Sequence, residues 1–325
     1  EIFLQMIGAL APHEKVNLLV DSEEVSAGLR NRLTFNGAAN VQLHLIETVD
    51  SWIRDYGPNF LIDNDGHLAF NHWAFNAWGN KYEELKRDSR IPELIAPLLD
   101  AQSFAPGIVL EGGSIDVNGN GVVITTEQCL LCSNRNPQVT RQKIEWFLCE
   151  YLGVNTVVWL GEGIAGDDTD GHVDDIARFT SERVIVCSIE EDREDGNYAL
   201  LQDNLRRLQL AKDAHGRNFE IVTIPMPDVV MGREGGLEGE QKGGQEERLP
   251  ASYANFYIAN NLVLAPIFGH QNDERAVETL ARLFPARKII PINCEPLVWG
   301  MGAIHCVTQQ EPQVANLRKS VPPGE

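Results

Sequence analysis

The clearest indication of the fold is the stretch Gly113-Ser114-Ile115-Asp116-Val117, which runs directly into Asn118-Gly119-Asn120-Gly121. Asn-Gly pairs favour the tight turns that join antiparallel strands, because both residues tolerate a positive φ. The apolar run Val122-Val123-Ile124 follows the turn. This stretch therefore predicts a β-hairpin that begins at a glycine.

The same pattern recurs along the chain, and each hairpin is followed by an amphipathic helix and a short β-rich run. The other predicted hairpins are 57–62 turning at 64–66, 171–179 turning near 181–182, 252–258 turning at 260–261, and a fifth first strand that begins at Gly302. The predicted helices cover 22–36, 92–99, 141–152, 197–214 and 273–284. The β-rich runs cover 41–46, 108–110, 156–160, 221–224 and 289–292. These sets predict five similar α/β units in a single catalytic domain, 1–325.

One segment interrupts the repeat. Residues 232–248 are rich in glycine and charge, which indicates a loop inserted before the fourth hairpin. Such a loop could be a mobile lid over a site or an ordinary solvated loop, and both interpretations stay open.

Composition limits the partners of the chain. Acidic residues outnumber basic ones 47 to 27, and the formal charge is −20. This charge disfavours nucleic acid and anionic membranes and favours a small cationic substrate. No apolar run approaches the roughly 20 residues that span a bilayer, and no signal segment is recognised, so we expect a cytoplasmic protein. The oligomeric state, including a possible homo-oligomer, stays open.

The six cysteines are too sparse to indicate a disulfide framework. Cys129 and Cys132 form a C-x-x-C, but no second pair accompanies them at zinc spacing, which favours ordinary buried thiols. Cys306 differs, because it stands at a glycine-rich strand entrance and follows a histidine. A thiol in such company is a candidate nucleophile.

Polar residues suited to chemistry stand at the head of every predicted hairpin. They are Asp55, Glu111, His172, Asp174, Tyr253, Asn255 and Cys306. Two apart on a predicted strand, His172 and Asp174 should point to the same face. Each residue also has a purely structural explanation, such as a buried thiol or a local ion pair between Arg54 and Asp55. Their common register favours convergence on one pocket.

Several motifs occur together in a fixed order. They are Trp52-x-Arg54-Asp55-x-Gly57-Pro58, Glu111-Gly112-Gly113-Ser114, Asp170-Gly171-His172-Val173-Asp174, Ser252-Tyr253-x-Asn255-Phe256-Tyr257 and Ile304-His305-Cys306-x-Thr308-Gln309-Gln310. Over Val16 to Pro312 the chain resembles the agmatine deiminase branch of the guanidine-modifying superfamily, close to the bacterial-type peptidyl-arginine deiminases. The resemblance implies the pentein fold, a five-bladed α/β propeller. It also implies hydrolysis of a guanidinium without metal or organic cofactor.

The resemblance also implies roles for matched positions. Cys306 matches the nucleophile and His172 the general acid and base, while Asp55 and Asp174 match carboxylates that grip the guanidinium. The residues expected to bind substrate are Trp52, Trp78, Glu111 and Asn255. One departure is Gly300-Met301-Gly302-Ala303, where many relatives have Gly-Gly-Gly-Asn, so the loop that presents the thiol should differ in shape. The family's amino-terminal Trp-Glu-Pro-His-type segment is also missing.

The chemistry requires these residue types. A guanidinium carbon is a poor electrophile, so carboxylates must hold the cation while a thiolate attacks. Nearby carboxylates raise the pKa of Cys306, whereas charged His172 and the bound cation lower it. We expect His172 to protonate the departing ammonia and then to activate water against a covalent thiouronium.

Agmatine is the expected substrate, with N-carbamoylputrescine as product. Residues 71–81, after the first hairpin, contain no arginine that could clamp an α-carboxylate and are rich in aromatic surface. Four alternatives remain: a deiminase of free or peptidyl arginine, an amidinotransferase, a non-catalytic propeller that binds a cation, and a metal-dependent hydrolase built on His172, Asp174 and Asp175.

Overall fold

Four three-stranded sheets dominate the computed structural model, which describes residues 1–35, 37–99, 101–228, 230–233 and 246–314. In each sheet the first two strands are antiparallel and the second and third are parallel. The strands are Asn59–Ile62, Leu68–Asn71 and Gln102–Phe104; Ile115–Val117, Val122–Thr126 and Thr156–Leu160; Ala177–Phe179, Val184–Ile189 and Glu220–Pro225; and Tyr257–Ala259, Leu262–Ile267 and Lys288–Asn293. This is the predicted repeat in four copies.

Two further strand pairs complete the described sheets. Val16–Val20 pairs in parallel with Val41–Leu45, and Met231–Arg233 pairs antiparallel with Glu246–Arg248. Most of the inserted segment 232–248, for which a lid or a surface loop was predicted, lies outside the described residues.

The hairpin around position 119 forms for the reasons that its sequence indicates. Gly119 and Gly121 have φ of 68° and 83°, a left-handed region that glycine enters without steric cost. The side-chain oxygen of Asn118 accepts hydrogen bonds from two backbone N–H groups within the turn. The strands Ile115–Val117 and Val122–Thr126 then pair in register.

Helices pack against the sheets of the units. The helical segments are Ile2–Leu10, Glu23–Arg32, Ile53–Tyr56, Ala77–Asn80, Ile91–Ile95, Glu127–Leu130, Arg141–Leu152, Asn197–Leu210, Asp273–Leu283 and Glu295–Val298, with 3-10 turns at Ala38–Asn40, Glu84–Arg90, Ala96–Leu98, Gly112–Ser114 and Val173–Asp175. The side chain of Thr140 caps the seventh of these helices, and Gly153 ends it with φ of 65°. None of the helices within the described ranges is long and apolar enough to cross a bilayer.

Adjacent sheets share their cores. Leu201 and Leu208, on the helix Asn197–Leu210, are fully buried against both the second and the third sheet. Ile124 from one sheet and Ile185 from the next belong to the same apolar cluster. A helix of this kind thus packs against the sheets of two neighbouring units. The loops that precede the hairpins are not used in this packing and can contact one another.

Two sequence predictions about the site segments are wrong. Gly302–Cys306 forms turns rather than a fifth first strand, since the backbone N–H of His305 donates to Asn255 instead of a neighbouring strand. His172 and Asp174 do not lie on a strand either, because Val173–Asp175 is a 3-10 turn. The Asp167 carboxylate accepts the N–H groups of residues 171 and 172, which a strand would have used in its ladder.

A third prediction misplaced a strand. Residues 108–110 make only an isolated bridge, from Val109 to Ala74, and Gln102–Phe104 is the third strand of that sheet. The preceding predicted helix, 92–99, is divided at Ala96, where Pro97 removes a backbone donor and a 3-10 turn follows.

Candidate active site

Cys306, Asp174 and Asn255 meet at one buried point. The Sγ atom of Cys306 lies 3.2 Å from Asn255 Nδ2 and 3.7 Å from Asp174 Oδ2. Cys306 is 9% exposed, and the other two residues are fully buried. The Oδ1 atom of Asp174 is buried without a hydrogen-bond partner in the part of the chain that the structure describes. This oxygen can therefore accept a hydrogen bond from a bound donor.

Asp55 and His172 lie on the other side of this point. His172 Nδ1 is 3.7 Å from Asp55 Oδ1, and both side chains are buried. Asp55 accepts hydrogen bonds from the backbone N–H of Gly113 at 2.8 Å and from Trp78 Nε1 at 2.9 Å. Among the described atoms His172 Nε2 has no hydrogen-bond partner. Trp78 thus orients a carboxylate as well as lining the site.

Gly113 marks the centre of the cluster. A Cβ atom built on Gly113 would lie 2.6 Å from His172 Nδ1, 2.8 Å from Asp55 Oδ1 and 3.2 Å from Asp174 Oδ2. Three groups from two segments of the chain, the helix Ile53–Tyr56 and the turn at 172–175, therefore lie around one Cα atom, and only glycine leaves room for them.

Trp52 packs against the loop that presents the thiol. A Cβ atom on Gly302 would lie 2.6 Å from Trp52 Cζ3 and 3.1 Å from Cys306 Cβ. The indole therefore packs on the loop that precedes Cys306, and the role of Trp52 in substrate binding stays a prediction. Met301 has φ of 72°, a left-handed conformation that favours glycine.

Glu111 is held in an ion pair behind the cluster. Its Oε1 atom accepts from Arg135 Nε at 2.7 Å, and both side chains are fully buried. The Cys129 sulfur lies 3.9 Å from Glu111 Oε2. Arg135 also pairs with Asp170, just before the loop that carries His172, so this arginine anchors the histidine segment.

The donor groups that could hold a metal differ from those in the sequence hypothesis. Within the described residues, donor atoms lie within 4.8 Å of one another in a buried group and an exposed group. These groups are Glu111, Cys129 and His172, and Asp63, Asp65 and His67. Asp174 and Asp175 belong to neither of them, which gives a metal-dependent hydrolase built on those two residues no structural support.

Burial and charge set the protonation of the central groups. Burial alone would lower the pKa of His172, but the charge of Asp55 raises it, and the result is well above the ordinary value. Burial, assisted by Asp55, raises the pKa of Asp174 to about 7, against the opposing charges of His172, Arg178 and Arg54. Burial and the carboxylates of Asp174, Asp175 and Asp55 raise the pKa of the Cys306 thiol well above its usual range. Before substrate binds, the raised pKa values of both groups therefore favour a protonated Cys306 thiol and a protonated His172 imidazole.

The structure also places His305, Asp175 and Arg54, which were not among the predicted site residues, at the cluster. His305 Nδ1 lies 2.7 Å from Asp174 Oδ2, and Asn255 Nδ2 also donates to Asp175 Oδ1. Arg54 does not form the local ion pair with Asp55 that was considered, because its side chain donates to Gln310 Oε1 and its backbone N–H to the carbonyl of residue 306. The His-Cys and Asp-Asp pairs in the motifs were the available signals.

Comparison with known proteins identifies the family. Residues 1–312 match the sequence model of the Porphyromonas-type peptidyl-arginine deiminases, and the chain belongs to that family. A relative in Legionella pneumophila (strain Paris), named provisionally as an agmatine deiminase, is 39% identical over 313 residues, 96% of this chain and 86% of the relative. The resemblance inferred from the sequence motifs is confirmed.

Solved structures agree with this assignment. The agmatine deiminase of Enterococcus faecalis is 34% identical, with a TM-score of 0.88 over 96% of this chain and 87% of that one. An agmatine deiminase variant of C. jejuni with substrate bound is 31% identical, with a TM-score of 0.81 over 95% of this chain and 85% of that one. The α/β fold is therefore that of these enzymes.

Proposed function

We propose that the chain hydrolyses the guanidinium of agmatine to N-carbamoylputrescine and ammonia through a covalent intermediate on Cys306. The observation that supports this most is that His172, Asp55 and Asp174 converge around Gly113, while the Cys306 thiol lies 3.7 Å from Asp174 Oδ2. The relatives named above as agmatine deiminases support the same reaction. We also propose a cytoplasmic, single-domain protein whose five units form a propeller around this centre.

Two carboxylates hold the substrate in this proposal. The unpartnered Oδ1 of Asp174 accepts an N–H of the guanidinium, and Asp55, fixed by Gly113 and Trp78, faces the same space. Buried carboxylates keep the planar cation paired while its carbon becomes tetrahedral. The cation in turn lowers the pKa of the Cys306 thiol, which burial and carboxylates hold high in the free protein.

The reaction then proceeds in two halves. The Cys306 thiolate forms an S–C bond, the C–N bond to the leaving nitrogen breaks, and protonated His172 supplies the proton with which ammonia departs. Neutral His172 next removes a proton from water, which attacks the thiouronium carbon. The S–C bond then breaks to regenerate the thiolate, and the second proton of the water passes to solvent as the urea carbonyl forms. The raised pKa of His172 suits the first half, because the imidazole begins as a cation.

The hydrogen bonds of the arginines near the site favour agmatine over an arginine substrate. Each engages protein groups: Arg54 donates to Gln310, Arg135 to Glu111 and Arg178 to Asp116. An α-carboxylate would require a free bidentate guanidinium as its partner. The distal amine of agmatine has no such requirement and suits an acidic surrounding.

Ammonia release from agmatine, free arginine and a peptide ending in arginine tests this choice. We expect kcat/KM for agmatine to exceed the other two by about 10²-fold or more, because an unpaired carboxylate would be desolvated without compensation. A preference for either arginine substrate would show a different deiminase. Transfer of the amidino group to an added amine, with no ammonia formed by hydrolysis, would instead favour an amidinotransferase.

Gly113→Ala should lower kcat/KM for agmatine about 10²-fold, since a methyl group would displace His172, Asp55 and Asp174 from their common centre. Steady-state ammonia release measures the effect, and circular dichroism checks the fold. Gly28→Ala is the matched control, because a Cβ atom there meets nothing within 4 Å. Equal activities of Gly113→Ala and Gly28→Ala would contradict the proposed centre.

Activity should fall on the acidic side of about pH 7, because protonated Asp174 cannot pair with the cation and its pKa is raised to about 7. The titratable and charged groups that face Asp174 are His172, His305, Asp55, Asp175, Arg178 and Arg54. Below this pKa, kcat/KM should drop about tenfold per pH unit, while agmatine itself stays protonated. A pH profile from 5 to 9 measures this, and a flat acidic limb would remove Asp174 from the binding step.

A further inference from the structure

We infer that His305 is a positioning residue, whose Nδ1–H holds one oxygen of Asp174 and leaves the other oxygen for the substrate guanidinium. The inference rests on the proposed function and deepens it by adding a residue that acts through Asp174. His305 precedes Cys306 in the chain, so one segment carries both the nucleophile and the group that orients a substrate-binding carboxylate.

The contacts of His305 fix its ring. Its backbone N–H donates to Asn255 Oδ1 at 2.8 Å, and its carbonyl accepts from Arg54 Nε at 3.3 Å. His305 as a whole residue is 3% exposed. With the backbone held on both sides, Nδ1 lies 2.7 Å from Asp174 Oδ2. The ring therefore has little freedom to leave the carboxylate.

The charge around His305 decides which partner donates. The charged groups that face it are Arg178, Arg54, His172 and Asp174. Burial and the three cations lower the pKa of His305 well below its ordinary value, so the ring is neutral. A neutral imidazole that contacts a carboxylate through Nδ1 carries its proton on that nitrogen and donates it. Donation to the ionised form favours the ionised form.

Asp174 depends on this donor because its surroundings otherwise oppose ionisation. The carboxyl is fully buried and lies near Asp55 and Asp175. The Oδ2 atom of Asp174 accepts the hydrogen bond from His305 Nδ1, while Oδ1 has no hydrogen-bond partner within the described ranges. Loss of the donor would therefore let Oδ2 rotate and would let Asp174 take up a proton at a higher pH.

Two substitutions of His305 distinguish a hydrogen-bond donor to Asp174 from a side chain that only fills space. His305→Leu keeps a similar volume without a donor. His305→Asn keeps a donor, because its amide nitrogen can stand where Nδ1 stands. The exposed residue His13 supplies a matched control in His13→Leu. The pH dependence of kcat/KM for agmatine is measured for all of them.

We expect His305→Leu to lose about 30-fold in kcat/KM at pH 7. The acidic limb of its pH profile of kcat/KM should move to higher pH by about one unit. His305→Asn should recover at least tenfold of this loss and return the limb toward that of the wild type. Equal defects in both variants with an unmoved limb would overturn the inference and show a packing role.

A second measurement does not depend on turnover. Calorimetric binding of methylguanidinium to Cys306→Ala and to Cys306→Ala with His305→Leu, over the same pH range, should show the same upward shift of the acidic limb. Wild-type protein that hydrolyses no guanidine while this shift is present would refute the proposed function alone. An active wild type with no shift would refute the role of His305 alone.

Discussion

Cys306→Ala should release no detectable ammonia from agmatine, a loss of about 10⁵-fold or more in kcat, because the substitution removes the thiol that forms the bond to the guanidinium carbon in the proposed route. Cys306→Ser should retain almost nothing, since a buried hydroxyl is far harder to ionise than a thiol. The Asn255 amide at 3.2 Å and Asp174 at 3.7 Å should keep their places in either variant. Agmatine binding should therefore persist while turnover disappears.

Cys149→Ala is the control for this loss, because Cys149 lies half-buried on a helix away from the cluster. It should keep wild-type kcat. Mass spectrometry of wild-type protein quenched with agmatine should find the adduct on the peptide that contains Cys306. Steady-state turnover by purified Cys306→Ala would refute the covalent route.

His172→Ala should lower kcat by about 10³-fold to 10⁴-fold with little change in KM, since ammonia must then leave without a positioned acid and water must attack without a base. Removal of an imidazolium beside the substrate cation removes a repulsion, so agmatine binding should not weaken. Single-turnover kinetics with quenched mass spectrometry would show whether the reaction stops before the covalent intermediate forms or before that intermediate is hydrolysed.

A matched control is His67→Ala, an exposed histidine whose partner is Asp63. It should behave like the wild type. A His172→Ala variant with normal kcat would remove the acid and base role, whereas a rise in KM with unchanged kcat would assign His172 to binding.

The local elements were predictable because their signals are local. The turn Asn118-Gly119-Asn120-Gly121 specifies its own backbone conformation, and the helix Arg141–Leu152 has its cap, apolar stripe and terminal glycine within one short stretch. The segment Gly302–Cys306 was mistaken for a strand because its neighbours in space are remote in sequence. Asn255 and Arg54 take the hydrogen bonds that a strand partner would have taken.

In the candidate site, too, the residue types were predictable from the sequence, whereas their contacts were not. The motifs in this chain predicted a thiol, an imidazole and carboxylates as site residues, since covalent attack on a guanidinium demands those residue types. They could not show that Glu111 is neutralised by Arg135 or that His305 donates to Asp174. Hydrogen-bond partners and desolvation depend on which loops meet around Gly113.

The amino-acid sequence by itself thus determines the residue types and the turn conformations, because each turn depends on a few consecutive residues. Protonation states and pairings arise only when loops from separate units pack together, because burial and charge proximity are properties of the assembled chain.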